Sequence, residues 1–335
     1  MTAPEPAAWT LPALGWSSFF AEQCGPEDVG LRPARIATVH RARMSAIGQE
    51  GPIRLSLPVH TDTGAYTVGD WVLVEPGTHA IGRLLERRTV LARRVEGSKT
   101  PQLAGANIDT LFIVTSCNAD FNVARLERYL ALANESGAEP VILLTKADLT
   151  EEAESYRAEA AALQRGLAVA LVNPKETGAT AVLTPWCGEG RTVALVGSSG
   201  VGKSTLVNAL AGLAPEEAQE TGGIRARDDK GRHTTTSRSL HAIASGGWVI
   251  DTPGMRTLHV SDAASGLETL FAEITELTHL CRFRDCTHEH EPGCAVQAAV
   301  ASGAVDPARL ARWRKLDAEN KAKTPETRGP KGRRR

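Results

Sequence analysis

The apolar positions change rhythm along the chain, and each change marks a different kind of element. Residues 1–30 scatter Trp9, Leu11, Leu14, Trp16, Phe19 and Phe20 among small and polar residues. That predicts an arm or short helix packing on something else. Residues 31–100 carry short apolar or alternating runs at 36–39, 53–59, 71–74 and 80–85. Gly48, Gly51-Pro52, Gly64, Gly69-Asp70 and Pro76-Gly77 punctuate them, as turns punctuate strands. Four or five short strands in about 65 residues predict a small barrel, for which an OB-fold and an SH3-like barrel both fit.

From about residue 108 the texture becomes alternating strand and helix. LFIVTS (111–116) is a continuous apolar strand, followed by a helical stretch over 124–137 that Gly137 closes. VILLTKAD (141–148), a helix over 151–166 and the strand LAVALV (167–172) continue the pattern. It resumes with RTVALVG (191–197), a helix after Gly202 and the strand WVIDTPG (248–254). Such alternation implies a parallel sheet covered on both faces. Residues 264–320 read as mainly helical around a Cys/His cluster, and 321–335 offer nothing to bury and are predicted disordered. The expected organisation is therefore an arm (1–30), a barrel (31–100), an α/β domain (101–260), a helical metal-binding module (261–320) and a basic tail (321–335), without internal repeats.

Composition narrows the class. A hydrophobic fraction of 42% over 335 residues supports real cores and two or three domains. No apolar run is long enough to span a membrane, and MTAPEPAAWT lacks the basic and apolar regions of a secretory leader. A cytoplasmic protein is expected. Six cysteines are too sparse for a disulfide scaffold. The formal net charge of −1 hides segregation: residues 312–335 carry a net +7, residues 31–100 a net +5, and the remainder −13. Basic ends around an acidic middle fit a nucleic-acid partner at the periphery, and equally a solvated tail and sheet face.

The chemistry is carried by four motifs. Gly197-Ser198-Ser199-Gly200-Val201-Gly202-Lys203-Ser204 matches G-x-x-x-x-G-K-[ST] between a strand and a helix that continues with Thr205. Its glycines let backbone N–H groups turn towards phosphate oxygens, Lys203 adds a charge for the outer phosphates, and the Ser204 hydroxyl is a ligand for Mg²⁺. Asp251-Thr252-Pro253-Gly254 ends a strand about 50 residues later, where Asp251 would hold Mg²⁺ through water and the Gly254 N–H would sense a γ-phosphate. Thr145-Lys146-Ala147-Asp148 follows another strand. The Asp148 carboxylate can accept both N–H groups of a guanine edge, a pair adenine lacks, while the Lys146 stem covers the base. Thr234-Thr235-Thr236 lies in the polar, Gly-rich stretch between the phosphate loop and Asp251, and Thr235 is the candidate to close the Mg²⁺ shell. The guanine reader precedes the phosphate loop, the reverse of the common order, which is the mark of a permuted chain.

Cys281-x4-Cys286-x-His288-x5-Cys294 supplies three thiolates and one imidazole, a full tetrahedral set for one structural Zn²⁺. His290 is a possible competitor. Cys24, Cys117 and Cys187 are isolated and read as buried or incidental thiols.

Taken together, GSSGVGKST (197–205), GRHTTTSR (231–238), DTPGM (251–255), the Cys/His spacing, and ANIDTLFIVTS with RLERYL make the chain resemble the circularly permuted GTPases of small ribosomal subunit biogenesis, the RsgA (YjeQ) family, over roughly residues 31–300. The resemblance implies an OB-fold, a permuted P-loop GTPase and a zinc module in that order. It also implies GTP hydrolysis stimulated by the small (30S) subunit, binding of 16S rRNA near the decoding region, and a role in late maturation. A monomer without membrane association is expected. The chain departs from the family where the guanine-backing loop usually reads Ser-Ala: Val172-Asn173-Pro174 stands there. Met255 follows Gly254 where a Ras-like enzyme has a water-orienting Gln, so slow intrinsic turnover is expected. His233 either orients water or packs and binds RNA; both readings are open. A P-loop ATP-using enzyme, a non-catalytic RNA-binding module, and a permuted GTPase of the large subunit or of non-ribosomal RNA are the alternatives.

Overall fold

The computed structural model describes residues 9–40, 43–58, 60–93, 101–176, 178–212, 238–251 and 263–323. Its centre is a sheet of apolar strands: β8 (Thr110–Ser116), β9 (Glu139–Thr145), β10 (Ala168–Leu171), β11 (Thr192–Gly197) and β13 (Trp248–Asp251). They run parallel in the order β10-β9-β8-β11-β13. Every residue of β8, β11 and β13 is buried, as strands covered on both faces require. The short strand β12 (Ser239–Ala242) pairs antiparallel with β13.

Helices α2 (Val123–Ser136), α3 (Ala153–Ala161) and α5 (Lys203–Leu210) connect these strands. The Asn122 side chain accepts a hydrogen bond from the Arg125 N–H at 2.9 Å and starts α2; Gly137, at φ 79°, ends it. Burying Leu126 and Leu130 of α2 contributes about 1.5–3 kcal/mol each. Helix α3 is shorter than its pattern suggests, and the four-residue α4 (Thr184–Cys187), like β12, is too short to show a period.

The region before this sheet closes on itself. β1 (Arg32–His40) pairs with β2 (Arg43–Gly48), which pairs with β3 (Gly51–Arg54). β1 also pairs with β4 (Trp71–Val74), and β4 with β5 (Ile81–Leu84). A parallel bridge between Ser56 and Ala80 completes a five-stranded ring around Ala34, Ile36, Met44, Ala46, Leu55, Val72 and Val74. The run expected as a strand over 53–59 is regular only to Arg54 and then bends into that bridge. β6 (Val90–Arg93) and β7 (Gln102–Ala106) form a separate hairpin that straddles residue 100.

The ring and the parallel sheet are one sheet, not two. β1 lies beside β12, with Thr38 opposite Ser239. The arm locks this seam. Trp9 packs on Trp248 at 5.1 Å between ring centres and Trp16 meets Trp71 edge-on at 4.9 Å. The Trp248 indole N–H donates to Ala13 O at 2.7 Å. Gly190 must be glycine here, because a Cβ at φ 71° would stand 2.3 Å from Pro12 O.

The C-terminal helices are α6 (Ala264–Leu270), α7 (Ala272–Thr278), α8 (Ala295–Ala301) and α9 (Pro307–Lys323). α9 runs three residues into the stretch predicted disordered, because Leu316 and Asn320 are buried and Asn320 accepts from the Ala263 N–H at 3.0 Å. Gly266 lets α6 touch α2: a Cβ there would lie 2.2 Å from Ala131 O. Among the described residues no helix is long and apolar enough to cross a membrane.

Candidate functional site

Strand register brings the scattered nucleotide motifs to one edge. Val114 lies opposite Gly197, and Ser116 opposite Thr145, so β8, β9 and β11 end together. Crevices at the carboxyl ends of parallel strands are where such sheets bind ligands. The phosphate loop leaves β11 at Gly197, where φ is 141° and an added Cβ would stand 2.2 Å from Val114 O, which excludes any side chain. Gly200 (φ 80°) and Gly202 (φ 97°) complete the turn, and Gly202 precedes the first residue of α5. The loop amides and the start of α5 thereby face the same space. Lys203 curls over its own loop: its ammonium donates to Gly197 O at 2.8 Å and to Ser198 O. Ser204 is exposed at the mouth, Val201 is buried, and Thr205 is half-buried in the first turn of α5.

The Thr145–Asp148 segment packs directly on this loop. Thr145 is buried at the end of β9, and its hydroxyl donates to Val201 O at 2.7 Å, with Thr115 O 3.1 Å away. The threonine ties the 145–148 turn to the phosphate loop. Lys146 adopts a left-handed φ of 58°, which turns the chain sharply into Ala147 and the exposed Asp148. Leu149 beside it is an exposed large apolar side chain. The departure at 172–174 is structurally absorbed. Val172 continues the β9 pairing through Leu144 O at 2.9 Å, and buried Pro174 sits beside Gly202. The Asn173 amide donates to Glu176 at 2.7 Å.

Asp251 is buried at the last position of β13, next to β11 and opposite Ser239. Thus, of the three residues expected around Mg²⁺, Asp251 ends the strand beside β11, and Ser204 stands in the first turn of the helix that follows β11. His233, Thr235 and Gly254 lie outside the described residues.

The metal cluster forms a second site. The ligand atoms of Cys281, Cys286, His288 and Cys294 lie within 4.8 Å of one another. The His288 Nδ1 is 3.5 Å from both Cys281 Sγ and Cys294 Sγ, which are 3.9 Å apart. A tetrahedron with metal–sulfur distances of about 2.3 Å and a metal–nitrogen distance of about 2.0–2.1 Å has edges of about 3.5 and 3.8 Å, so the donor set fits Zn²⁺. Burial pushes the His288 imidazole pKa down and favours the neutral form that ligates. His290 is outside the set. The Glu291 carboxylate organises the turn, accepting from Thr287 Oγ and from the N–H groups of Thr287, Glu289 and His290. The Thr287 hydroxyl leads the interactions that hold Glu291 far below the usual carboxylate range. Trp313 and Arg314 of α9 bind the cluster from behind, the indole edge-on to His288 and the guanidinium on His288 O. Cys117 and Cys187 are buried, whereas Cys24 is exposed.

Two polar groups carry the domain seams and gave no motif in the sequence. Arg35 of β1 is fully buried, donating to Leu14 O at 2.8 Å, Thr192 Oγ1 at 2.6 Å and Asn107 O at 3.3 Å. Burial lowers its pKa to about 10. Glu127 of α2 is fully buried and meets Arg309 at 3.0 Å and Arg312 at 2.9 Å from α9.

Comparison with known proteins agrees with this geometry. The profile of the family described as RsgA GTPase matches residues 84–261. The chain is 65% identical over 332 residues to the small ribosomal subunit biogenesis GTPase RsgA of Mesorhizobium japonicum, covering 99% of this chain and 95% of that protein. It is 48% identical to the small ribosomal subunit biogenesis GTPase RsgA 2 of Vibrio vulnificus, covering 94% of this chain and 89% of that one. Among solved structures it resembles YjeQ from Thermotoga maritima, with TM-score 0.62, 26% identity, and coverage of 86% and 98% of the two chains. It likewise resembles YloQ, a circularly permuted GTPase, with TM-score 0.62, 25% identity, and coverage of 90% and 99%.

Proposed function

The chain belongs to the RsgA GTPase family, and from that membership we propose that it hydrolyses GTP on the small ribosomal subunit during late maturation, holding 16S rRNA near the decoding region. The observation that carries the nucleotide part is the convergence of the phosphate loop, Asp148 and Asp251 on one edge of a parallel sheet in permuted order. The subunit is carried by kinship with relatives named for its biogenesis.

In this reading the amides of residues 197–202 cradle the phosphates, and Lys203 exchanges the carbonyls of Gly197 and Ser198 for phosphate oxygens. Thr145, Lys146, Ala147 and Asp148 bind the guanine. Ser204, Thr235 and Asp251 hold Mg²⁺, which when bound neutralises charge on the transferring phosphoryl group. Gly254 reads the γ-phosphate through its N–H. His233 orients the attacking water, a task Met255 cannot perform. We assign the ring β1–β5 to an OB-fold, a reading supported by its strand order 1-2-3-5-4-1, and give it the rRNA-facing role. Cys281, Cys286, His288 and Cys294 hold one structural Zn²⁺, and the module around them makes further ribosome contacts. The units follow residues 1–30, 31–100, 101–260, 261–320 and 321–335, with the β6–β7 hairpin crossing the second boundary and α9 extending past the fourth to Lys323, in a cytoplasmic monomer.

Co-sedimentation tests the partner. With a non-hydrolysable GTP analogue the protein is expected to pellet with isolated small subunits and stay behind with large ones. Equal pelleting with both would overturn the small-subunit assignment.

A further inference from the structure

One row of directly opposed residues crosses five strands, from the ring to the nucleotide edge. Arg54 of β3 lies opposite Ser45 of β2, Ser45 opposite Thr38 of β1, Thr38 opposite Ser239 of β12, and Ser239 opposite Asp251 of β13. At about 4.8 Å per strand the row is about 19 Å long. At its outer end Arg54 and Arg43 line an open cleft of about 380 Å³ on the ring, with Leu55, Ser56 and Leu57. At its inner end stands Asp251.

Three features make this row a mechanical link. β1 changes partner along one edge. Arg32 to Arg35 pair with β4, the β1–β2 register then shifts between Ile36 and Thr38, and beyond that the edge belongs to β12. The Arg35 end of β1 is pinned to β11 through Thr192, so movement of the strand is confined to its outer half. Among the described residues the seam shows one registered pair, Thr38 with Ser239, whereas β12 and β13 share four. On the described pairing β12 is joined more extensively to β13 and Asp251 than to β1. Thr38 is in turn fastened to the ring, its hydroxyl 2.6 Å from that of Ser45.

We propose that Thr38, Ser45 and Ser239 are positioning residues that relay an RNA phosphate bound at Arg54 to Asp251, and so set the rate of the GTP hydrolysis argued above. The proposal rests on that reading. It adds the route by which the ring's ligand reaches the chemistry.

The test is a reversible lock. Directly opposed residues in an antiparallel pair have Cα separations of about 4.5–5.5 Å, within the range a disulfide spans. In the full chain carrying Thr38→Cys and Ser239→Cys, GTP hydrolysis is measured with and without isolated small subunits, oxidised and then reduced, with each single variant treated alike. Oxidation is expected to cut the subunit-stimulated increase in kcat about tenfold, leave basal kcat and GTP affinity unchanged, and be undone by dithiothreitol. Stimulation that survives the crosslink overturns the relay, as does a loss that falls equally on the basal rate. If the reduced protein is not stimulated at all, the functional reading fails first and the relay with it. Thr38→Val, which keeps the strand but removes the hydroxyl facing Ser45, provides a second arm. It is expected to lower stimulation a few-fold at unchanged GTP affinity and melting temperature, and unaltered stimulation counts against the relay.

Discussion

The two seams of the molecule are built on opposite principles. The front seam joins the ring to the parallel sheet through a shared strand, an aromatic arm and one buried guanidinium that finds only neutral partners. The rear seam docks the C-terminal helices on α2 through close backbone approach at Gly266 and a buried ion-pair network at Glu127. The front seam continues the hydrogen-bonded sheet towards the strand that ends in Asp251. The rear seam touches α2, and among the described residues it meets no nucleotide motif. The difference teaches that the front is organised to transmit and the rear to hold. Mutations should separate the two.

The largest expected effect is at the rear. Stripping the metal from the Cys/His cluster removes on the order of 10 kcal/mol of folding energy from a module too small for its own core. Chelation is expected to melt 281–294 and loosen α8 and α9, read as lost helical circular dichroism and one released Zn²⁺ per chain, while a fluorescent GTP analogue still binds. Next is Glu127→Gln. It removes the carboxylate that Arg309 and Arg312 share, leaving Arg309 with Glu273 and Arg312 without this acid, at a cost of about 3 kcal/mol in urea unfolding and no change in GTP affinity.

At the front, Arg35→Met leaves the carbonyls of Leu14 and Asn107 without this donor. It is expected to cost about 2–3 kcal/mol and to expose residues 9–24 to protease. Thr145→Val belongs to neither seam. Losing its hydrogen bond to Val201 O frees the 145–148 turn from the phosphate loop, with about 1 kcal/mol expected to be lost both in GTP binding and in unfolding stability.

These seams are also where the sequence was least informative. The phosphate loop, Thr145–Asp148 and the Cys/His set are contiguous, and each residue type is demanded by its chemistry, so their positions could be read before any fold. Five parallel strands were legible as unbroken apolar runs, β8, β11 and β13 because they are buried throughout. Arg35 was not, since an arginine in a half-buried strand looks like a solvent position until Leu14 and Thr192 are known to meet it. Glu127 likewise looks like one of many helix-surface charges; only α9, almost 200 residues away, makes it a core residue. β2 hides in RMSAIG, where glycine and serine dilute the pattern, and β12 is only SLHA. The arm's aromatic residues announced that they pack, but not that Trp9 would pack on Trp248 and Trp16 on Trp71.

The central claim is that this chain is a guanine-specific hydrolase answering to the small subunit. It is tested most directly by the hydrolysis rate of the purified protein with GTP and with ATP, each with and without isolated small ribosomal subunits. The account predicts slow GTP turnover alone, a large increase with the subunit, and none of this with ATP. GTP turnover that ignores the subunit, or equal turnover of ATP, would contradict it.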